Sequence, residues 1–274
     1  MPSPKDPEET TETAKFNQDA GSWGFVPTLF RAGNSPLPAP WEGLFGPLRS
    51  LGPDGLMVIG QLGQSLDGRI ATPTGHSHYI NGSAGIDHLH RIRALVDVVV
   101  VGIGTAVADD PQLTVRRVAG PQPARAVLDP SGRLPAGARL LKDDGVRRLV
   151  LTLRDAKAPA PGVEMVALQR TNGQIEPATI LAALAERGFK RILIEGGADT
   201  VSRFIAAKCL DRLHVVVAPI ILGSGRTGIS LPPIETCNEA LRVPMHVHLL
   251  DGEVLYDCDL SVQRVPVGFA NKST

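Results

Sequence analysis

The sequence predicts an α/β domain built on a mostly parallel sheet flanked by helices, with an antiparallel hairpin near the C-terminus. Three observations carry this expectation. After Asp54, apolar runs of strand length alternate with patterns of helix length. Runs such as 98–101 and 192–194 are apolar at successive positions, as strands covered on both faces are. Asp251-Gly252 separates two strand-like runs, the strongest short signal for a tight hairpin.

The elements follow in order. Residues 56–62 form a first strand, 83–96 a helix with Ile86, Leu89, Ile92 and Leu95 on one face, and 98–101 the next strand, which together make a βαβ unit. Further strands are expected at 124–128, 148–153, 163–168, 191–194 and 213–218, with helices at 177–187 and 199–208. The hairpin strands, 245–250 and 253–260, close one sheet edge. Upstream, residues 1–54 are rich in Pro, Gly and acidic residues, with isolated apolar clusters at Trp23-Gly-Phe-Val and Trp41-Glu-Gly-Leu-Phe. They read as a disordered start followed by an irregular arm packed on the main body.

The bulk composition narrows the function. Lys+Arg and Asp+Glu both number 28, so the chain has no basic field with which to hold nucleic acid or an anionic membrane. Small-molecule chemistry is expected instead. The three cysteines, Cys209, Cys237 and Cys258, have no CxxC spacing, which argues against a disulfide framework and a zinc site and fits a reducing compartment. No apolar run of membrane-spanning length and no signal-peptide pattern at the start occurs, so a cytoplasmic location is expected.

In sheets of this kind ligands bind beyond the carboxyl ends of the strands. Three loops occupy such places: 65–80, 102–116 and 195–204. In the first, Asp67-Gly68 and Pro73-Thr-Gly are ordinary turn chemistry, mixed with Arg69, His76 and His78. In the second, Gly102 and Gly104 permit close backbone approach and Thr105 suits a helix start, but a plain strand-to-helix turn explains the pattern equally, and the GxGxxG fingerprint is not met. In the third, Glu195-Gly196-Gly197 opens a helix whose free amides suit a phosphate, although glycines here also permit tight packing and Glu195 also suits a cap. The histidine pairs have no ligand partner at metal spacing, and neither a Gly-x-Ser-x-Gly elbow nor a Walker loop is present.

Taken together, SLDGRIA, GHSHYI, HRIRALVD, VVVGIGTAVADDPQLTVR and ILIEGGADTVSRF, in this order, resemble the reductase domain of the bifunctional riboflavin-biosynthesis deaminase/reductase, over about residues 56–260. The resemblance implies a dihydrofolate-reductase-like fold, a reductase domain at 55–265 with a tail at 266–274, a homodimer, and NADPH-dependent reduction of the ribosyl group of a ribosylaminopyrimidine 5′-phosphate to ribityl. It places Gly63, Tyr79, Thr105 and Asp109 against NADPH, with the pyrophosphate on Gly196, Gly197 and the helix start Ala198, Asp199 and Thr200. Ser77, Arg93, Leu113 and Arg116 would bind the substrate's ribose phosphate, and Glu195 its pyrimidine or ribose. Two guanidinium groups and a hydroxyl suit a dianion.

A proton donor is needed, and Glu195 or Asp67 would serve, Glu195 being favoured. Arg154, after the strand 148–153, is the cation expected to meet the 2′-phosphate of NADPH. Two features depart from the family pattern. The zinc-deaminase strings H-x-E and P-C-x-x-C are missing, so neither deamination nor a metal is expected, and Gln61 stands where many members have Lys. These departures keep two rival readings open: a same-fold reductase of another pteridine or pyrimidine, and a catalytically silent NADPH-binding protein.

Overall fold

Trp23, Val26, Phe30, Trp41, Leu44, Phe45 and Leu48 are all buried, so the segment before the first strand is part of the core. A computed structural model describes residues 23–78, 80–153, 157–170 and 175–268. Within the N-terminal arm, α1 (Val26–Ala32) starts with Pro27 in its first turn and ends at Gly33. Gly33 takes the left-handed conformation and donates its N–H to Leu29 O. A second short helix, α2 (Trp41–Phe45), follows. The arm is thus largely helical where an irregular path was expected. Its Trp23, Trp41 and Phe45 rings meet at centroid distances of 5.3 to 5.9 Å. Residues 1–22, where the disordered start was expected to begin, lie outside the described residues.

The rest of the chain runs β1 (Met57–Ser65), β2 (Arg69–Ala71), α3 (Ser83–Leu95), β3 (Val98–Gly102), α4 (Ile103–Asp109), β4 (Ala124–Leu128), β5 (Arg148–Thr152), β6 (Val163–Ala167), α5 (Pro177–Ala185), β7 (Arg191–Glu195), α6 (Ala198–Ala206), β8 (Arg212–Ala218), β9 (Arg226–Thr227), β10 (Met245–Leu250) and β11 (Glu253–Asp259). Nine strands form one sheet in the order β10-β11-β8-β1-β7-β3-β4-β5-β6. Every pair from β8 to β6 is parallel, and the C-terminal hairpin adds the two antiparallel pairs. The expected α/β class, parallel sheet and terminal hairpin are all present.

The central strands read as continuous apolar runs because each serves two cores. Val98 and Val100 of β3 face the cluster that holds Leu181 of α5 and Phe204 of α6, while Val99 and Val101 face the cluster of the arm and Ile92 of α3. The β2–β9 pair and helix α4 escaped the sequence reading. β2 and β9 pair antiparallel as a separate two-stranded sheet, too short to show a period. α4 starts at Ile103, so Thr105 lies inside its first turn and Gly102 takes the cap position.

Helix α3 carries Arg93, an expected site residue, and is anchored from a distance. Its first turn has no local side-chain cap. The buried carboxylate of Glu253, from the start of β11, accepts from Gly82 N at 3.0 Å, Gly85 N at 2.8 Å and Asn81 Nδ2 at 2.8 Å. A negative charge on these orphan donors also opposes the positive end of the helix dipole.

Candidate active site

The carboxyl ends of β1, β7 and β3 adjoin, and Glu195, Gln61 and Arg93 gather there. Glu195 is the last residue of β7 and lies in register with Gln61 of β1. Equivalent positions on neighbouring parallel strands face the same side, so the Gln61 amide stands beside the Glu195 carboxylate. From α3, Arg93 closes on Glu195 as a two-pronged pair: its Nε donates to Oε2 at 2.8 Å and its Nη2 to Oε1. Its Nη1 donates to Thr114 O at 3.0 Å. Both side chains of the pair are buried, at 5% and 10% exposure. Arg93 was expected to grip a phosphate, but its charge is answered inside the protein and its fork is turned to Glu195. Glu195 in turn has both oxygens held by donors, which makes it a positioned acceptor.

Gly196 and Gly197 both have φ of 66°, the left-handed region that glycine tolerates. A Cβ on Gly197 would stand 2.8 Å from Thr105 Oγ1, so the diglycine is also a close-packing device between β7 and α4. Gly197 is the N-cap of α6, and no side chain caps the first turn. The leading N–H groups of Ala198, Asp199 and Thr200 are therefore left for a ligand. Thr200 itself is buried against Gly102, where a Cβ would come within 2.5 Å of its hydroxyl.

Gly197, the first turn of α6 and Thr105 border a cleft of about 790 Å3. Of the expected site residues it brings together Ser77, Thr105, Asp109, Gly197, Ala198 and Asp199. Ser77, expected on the substrate side, thus shares a wall with the cofactor candidates. Burial pushes the Asp109 carboxyl up, against the opposing pull of His78 and Arg226. The β2–β9 pair supplies a further wall through Ile70, Ala71, Arg226 and Thr227. Sequence reasoning missed Arg226 and Arg203, which also lines the cleft. Arg203 lay within the quoted EGGADTVSRF stretch, whereas nothing local marks Arg226.

Other expectations fall elsewhere. Asp67 accepts from Ser65 Oγ at 2.6 Å, Leu222 N at 3.0 Å and Gly223 N at 2.8 Å. The Ser65 and backbone hydrogen bonds bring its carboxyl down to about 2, so Asp67 is a loop anchor and a poor proton donor near neutrality. At Gly63 a Cβ would collide with Asn81 Oδ1, which gives this glycine a packing role. Leu113 has its side chain in the core and φ of 55°, a strained turn that presents the adjoining backbone of Gln112 and Thr114 to the site. Arg116 is exposed, its N–H donating to His90 Nδ1 at 3.2 Å. Tyr79 and Arg154 lie outside the described residues.

Comparison with known proteins gives this geometry a context. Residues 57–254 match the model of the RibD C-terminal domain. The chain is 32% identical over 211 residues to the 2,5-diamino-6-ribosylamino-4(3H)-pyrimidinone 5′-phosphate reductase of Methanothermobacter thermautotrophicus, covering 72% of this chain and 94% of that protein. It is 34% identical over 185 residues to the riboflavin biosynthesis protein RibD of Aquifex aeolicus, covering 66% of this chain but only 51% of that longer protein. Among solved structures, the deaminase/5-amino-6-(5-phosphoribosylamino)uracil reductase of Thermotoga maritima superposes with a TM-score of 0.65 at 27% identity, over 74% of this chain and 56% of that one.

Proposed function

The chain belongs to the RibD C-terminal domain family, and from that premise we propose that it reduces the ribosyl group of a ribosylaminopyrimidine 5′-phosphate to ribityl in riboflavin biosynthesis, with NADPH as reductant. The observation that carries this reading is the junction at the end of β7, where the Arg93–Glu195 pair runs directly into the diglycine that opens the cleft. The cleft volume lies within the range of cofactor sites, about 300–1,000 Å3.

The uncapped first turn of α6 fits a pyrophosphate, with Gly196 and Gly197 allowing close approach. Thr105 and Asp109 border the same space. Arg203 and Arg226 are permanent cations in the cleft and suit the 2′-phosphate that distinguishes NADPH from NADH. When bound, NADPH supplies the hydride. The chain's own residues bind and orient. Glu195, fixed by Arg93, accepts a hydrogen bond from a ribose hydroxyl or pyrimidine N–H, and the neighbouring Gln61 amide both donates and accepts. Glu195 is also the nearest candidate to relay a proton through water, since Asp67 is committed to its loop.

The reading extends to a cytoplasmic homodimer. Among the described residues no helix is long and apolar enough to cross a membrane. β10 is an edge strand with Met245, Val247 and Leu249 exposed, a surface that a second copy would cover.

The test is NADPH oxidation with the deaminated and undeaminated pyrimidine phosphates side by side. Turnover of one of them, much slower with NADH, is expected. NADPH binding without oxidation would favour a silent binding protein, and turnover only of other pteridines or pyrimidines would favour a different reductase.

A further inference from the structure

The residues that match the family model begin at Met57, and the helical arm before them packs on the two segments that hold the Arg93–Glu195 pair in place. One of these is α3. Each residue turns a helix by about 100°, so Arg91 and Arg93 project roughly 200° apart around it. While Arg93 faces Glu195, the Arg91 guanidinium lies against two rings of the arm, 4.7 Å from the centroid of Trp41 and 5.7 Å from that of Trp23. Its Nε is buried without a hydrogen-bond partner among the described residues, so ring faces stand where acceptors would. Three residues earlier, Phe45 of the arm stacks on His88. Gripped on this side, α3 cannot turn about its axis without drawing Arg93 off Glu195.

The other segment is the loop between α4 and β4. Among the described residues, 112–122 form no backbone–backbone hydrogen bond, so side chains set the path of this loop. Gln122 closes it, its Oε1 accepting from Val115 N at 2.7 Å and its Nε2 donating to Val115 O at 2.6 Å. Toward α3, Thr114 O accepts from Arg93, Arg116 N donates to His90 Nδ1, and Arg117 Nε donates to Asp87. From the arm, Trp23 Nε1 donates to Ala119 O at 2.7 Å. The adjoining Gly120, at φ of 152°, approaches α3 so closely that a Cβ would stand 2.5 Å from Ala94 Cβ, with Pro27 of α1 at 3.6 Å. Trp23, 3% exposed, thus touches both segments at once: its ring lies against Arg91 of α3 and its N–H ties down the loop.

We propose that Trp23 and Arg91 are positioning residues of the reductase site: through them the arm sets the rotation of α3 and the path of loop 112–122, and so fixes Arg93 on Glu195 and on Thr114 O. Neither residue lines the cleft, and both act through Arg93. That the pair they hold serves a reduction rests on the reductase reading. The clamp itself does not.

Two variants of the full chain test the clamp: Trp23→Phe, which keeps a ring against Arg91 but loses the N–H, and Arg91→Met, which loses the cation. Arg91→Lys, which keeps a cation for the rings, is the conservative control. The Arg93 Nε–H, donor to Glu195, is followed by nuclear magnetic resonance, and turnover of the pyrimidine phosphate and NADPH dissociation constants are measured beside it. In Trp23→Phe and Arg91→Met, hydrogen exchange should quicken at the Arg93 Nε–H and at the Val115 and Arg116 amides, while β3 and β7 keep wild-type rates. For Trp23→Phe, kcat should fall about twofold to tenfold, the range for one hydrogen bond, with NADPH affinity unchanged. Arg91→Lys should regain most of the rate that Arg91→Met loses. Unchanged exchange in both variants overturns the clamp. So does quickened exchange beside wild-type kcat, or a loss of kcat matched by an equal loss of NADPH affinity, since either result means packing alone. An Arg91→Lys variant as slow as Arg91→Met removes Arg91 from the proposal. If the wild type reduces no pyrimidine while the Arg93 Nε–H exchanges faster in both variants, the clamp stands and the reductase reading fails.

Discussion

Arg93 and Glu195 form a buried ion pair of the kind whose halves are worth far more together than apart. Removing one partner leaves an uncompensated buried charge and costs about 3–5 kcal/mol, whereas replacing both with apolar side chains of similar volume is often neutral. Arg93→Ala should therefore lower the chemical-denaturation midpoint sharply, and Arg93→Met with Glu195→Leu should recover most of that loss. The recovered double variant should remain inactive, because the positioned acceptor is gone. A double variant as unstable as the single one would mean that Arg93 supports the fold by some other contact. The residue types of this site were legible in the sequence, since Glu195-Gly196-Gly197 follows a buried strand. Their partnership was not. Arg93 lies on a helix 102 residues earlier in the chain, and its pattern is equally that of a phosphate ligand.

At the scale of elements, α3 depends on a cap that no local pattern announces. Glu253 is 168 residues from Gly85, and only the return of the C-terminal hairpin beside α3 brings them together. Glu253→Ala should cost about 2–4 kcal/mol, as two backbone N–H groups and the Asn81 amide lose a charged acceptor. Amide exchange should quicken at the start of α3 before it does in the sheet, and uniform quickening throughout would argue against a capping role. Strands of the parallel sheet were readable because both faces are apolar, as in Val98–Gly102. The β2–β9 pair was unreadable, since Arg226–Thr227 is only two residues long. That omission hid one wall of the cleft, and with it Arg226.

For the molecule as a whole, the arm and the sheet meet at a buried histidine cluster. His88 of α3 lies 3.0 Å from His214 of β8 across their ring nitrogens, and the Phe45 ring of α2 stacks on His88 at 5.7 Å. His214 Nε2 lies 3.0 Å from Asp257 on β11. Burial, with His214 and Arg91 nearby, holds His88 well below its ordinary value, and burial beside Arg93 holds His90 at about 3. Both are neutral in the folded state, while the unfolded chain takes up protons below about pH 6.5. Stability is therefore complete above that pH and should fall as pH drops from about 6.5 toward 4, by at most about 1.4 kcal/mol per pH unit for each histidine. Urea midpoints at pH 7.5, 6 and 5 test this, and His90→Gln should flatten the slope. A midpoint that holds steady down to pH 5 would contradict the buried-neutral state. The sequence marked His88 and His90 only as unable to chelate a metal together and did not single out His214, because what constrains them is contact between distant elements.

The central claim, that the rim at the end of β7 carries out reduction of a sugar chain, is tested most directly by following the hydrogen. The wild-type protein is supplied with NADPH carrying deuterium at both C4 positions and with the ribosylaminopyrimidine 5′-phosphate, and the product is read by nuclear magnetic resonance. The account predicts one deuterium at C1′ of a ribityl chain for each NADPH consumed. NADPH consumption with C1′ free of deuterium, or no consumption at all beside tight NADPH binding, would contradict it.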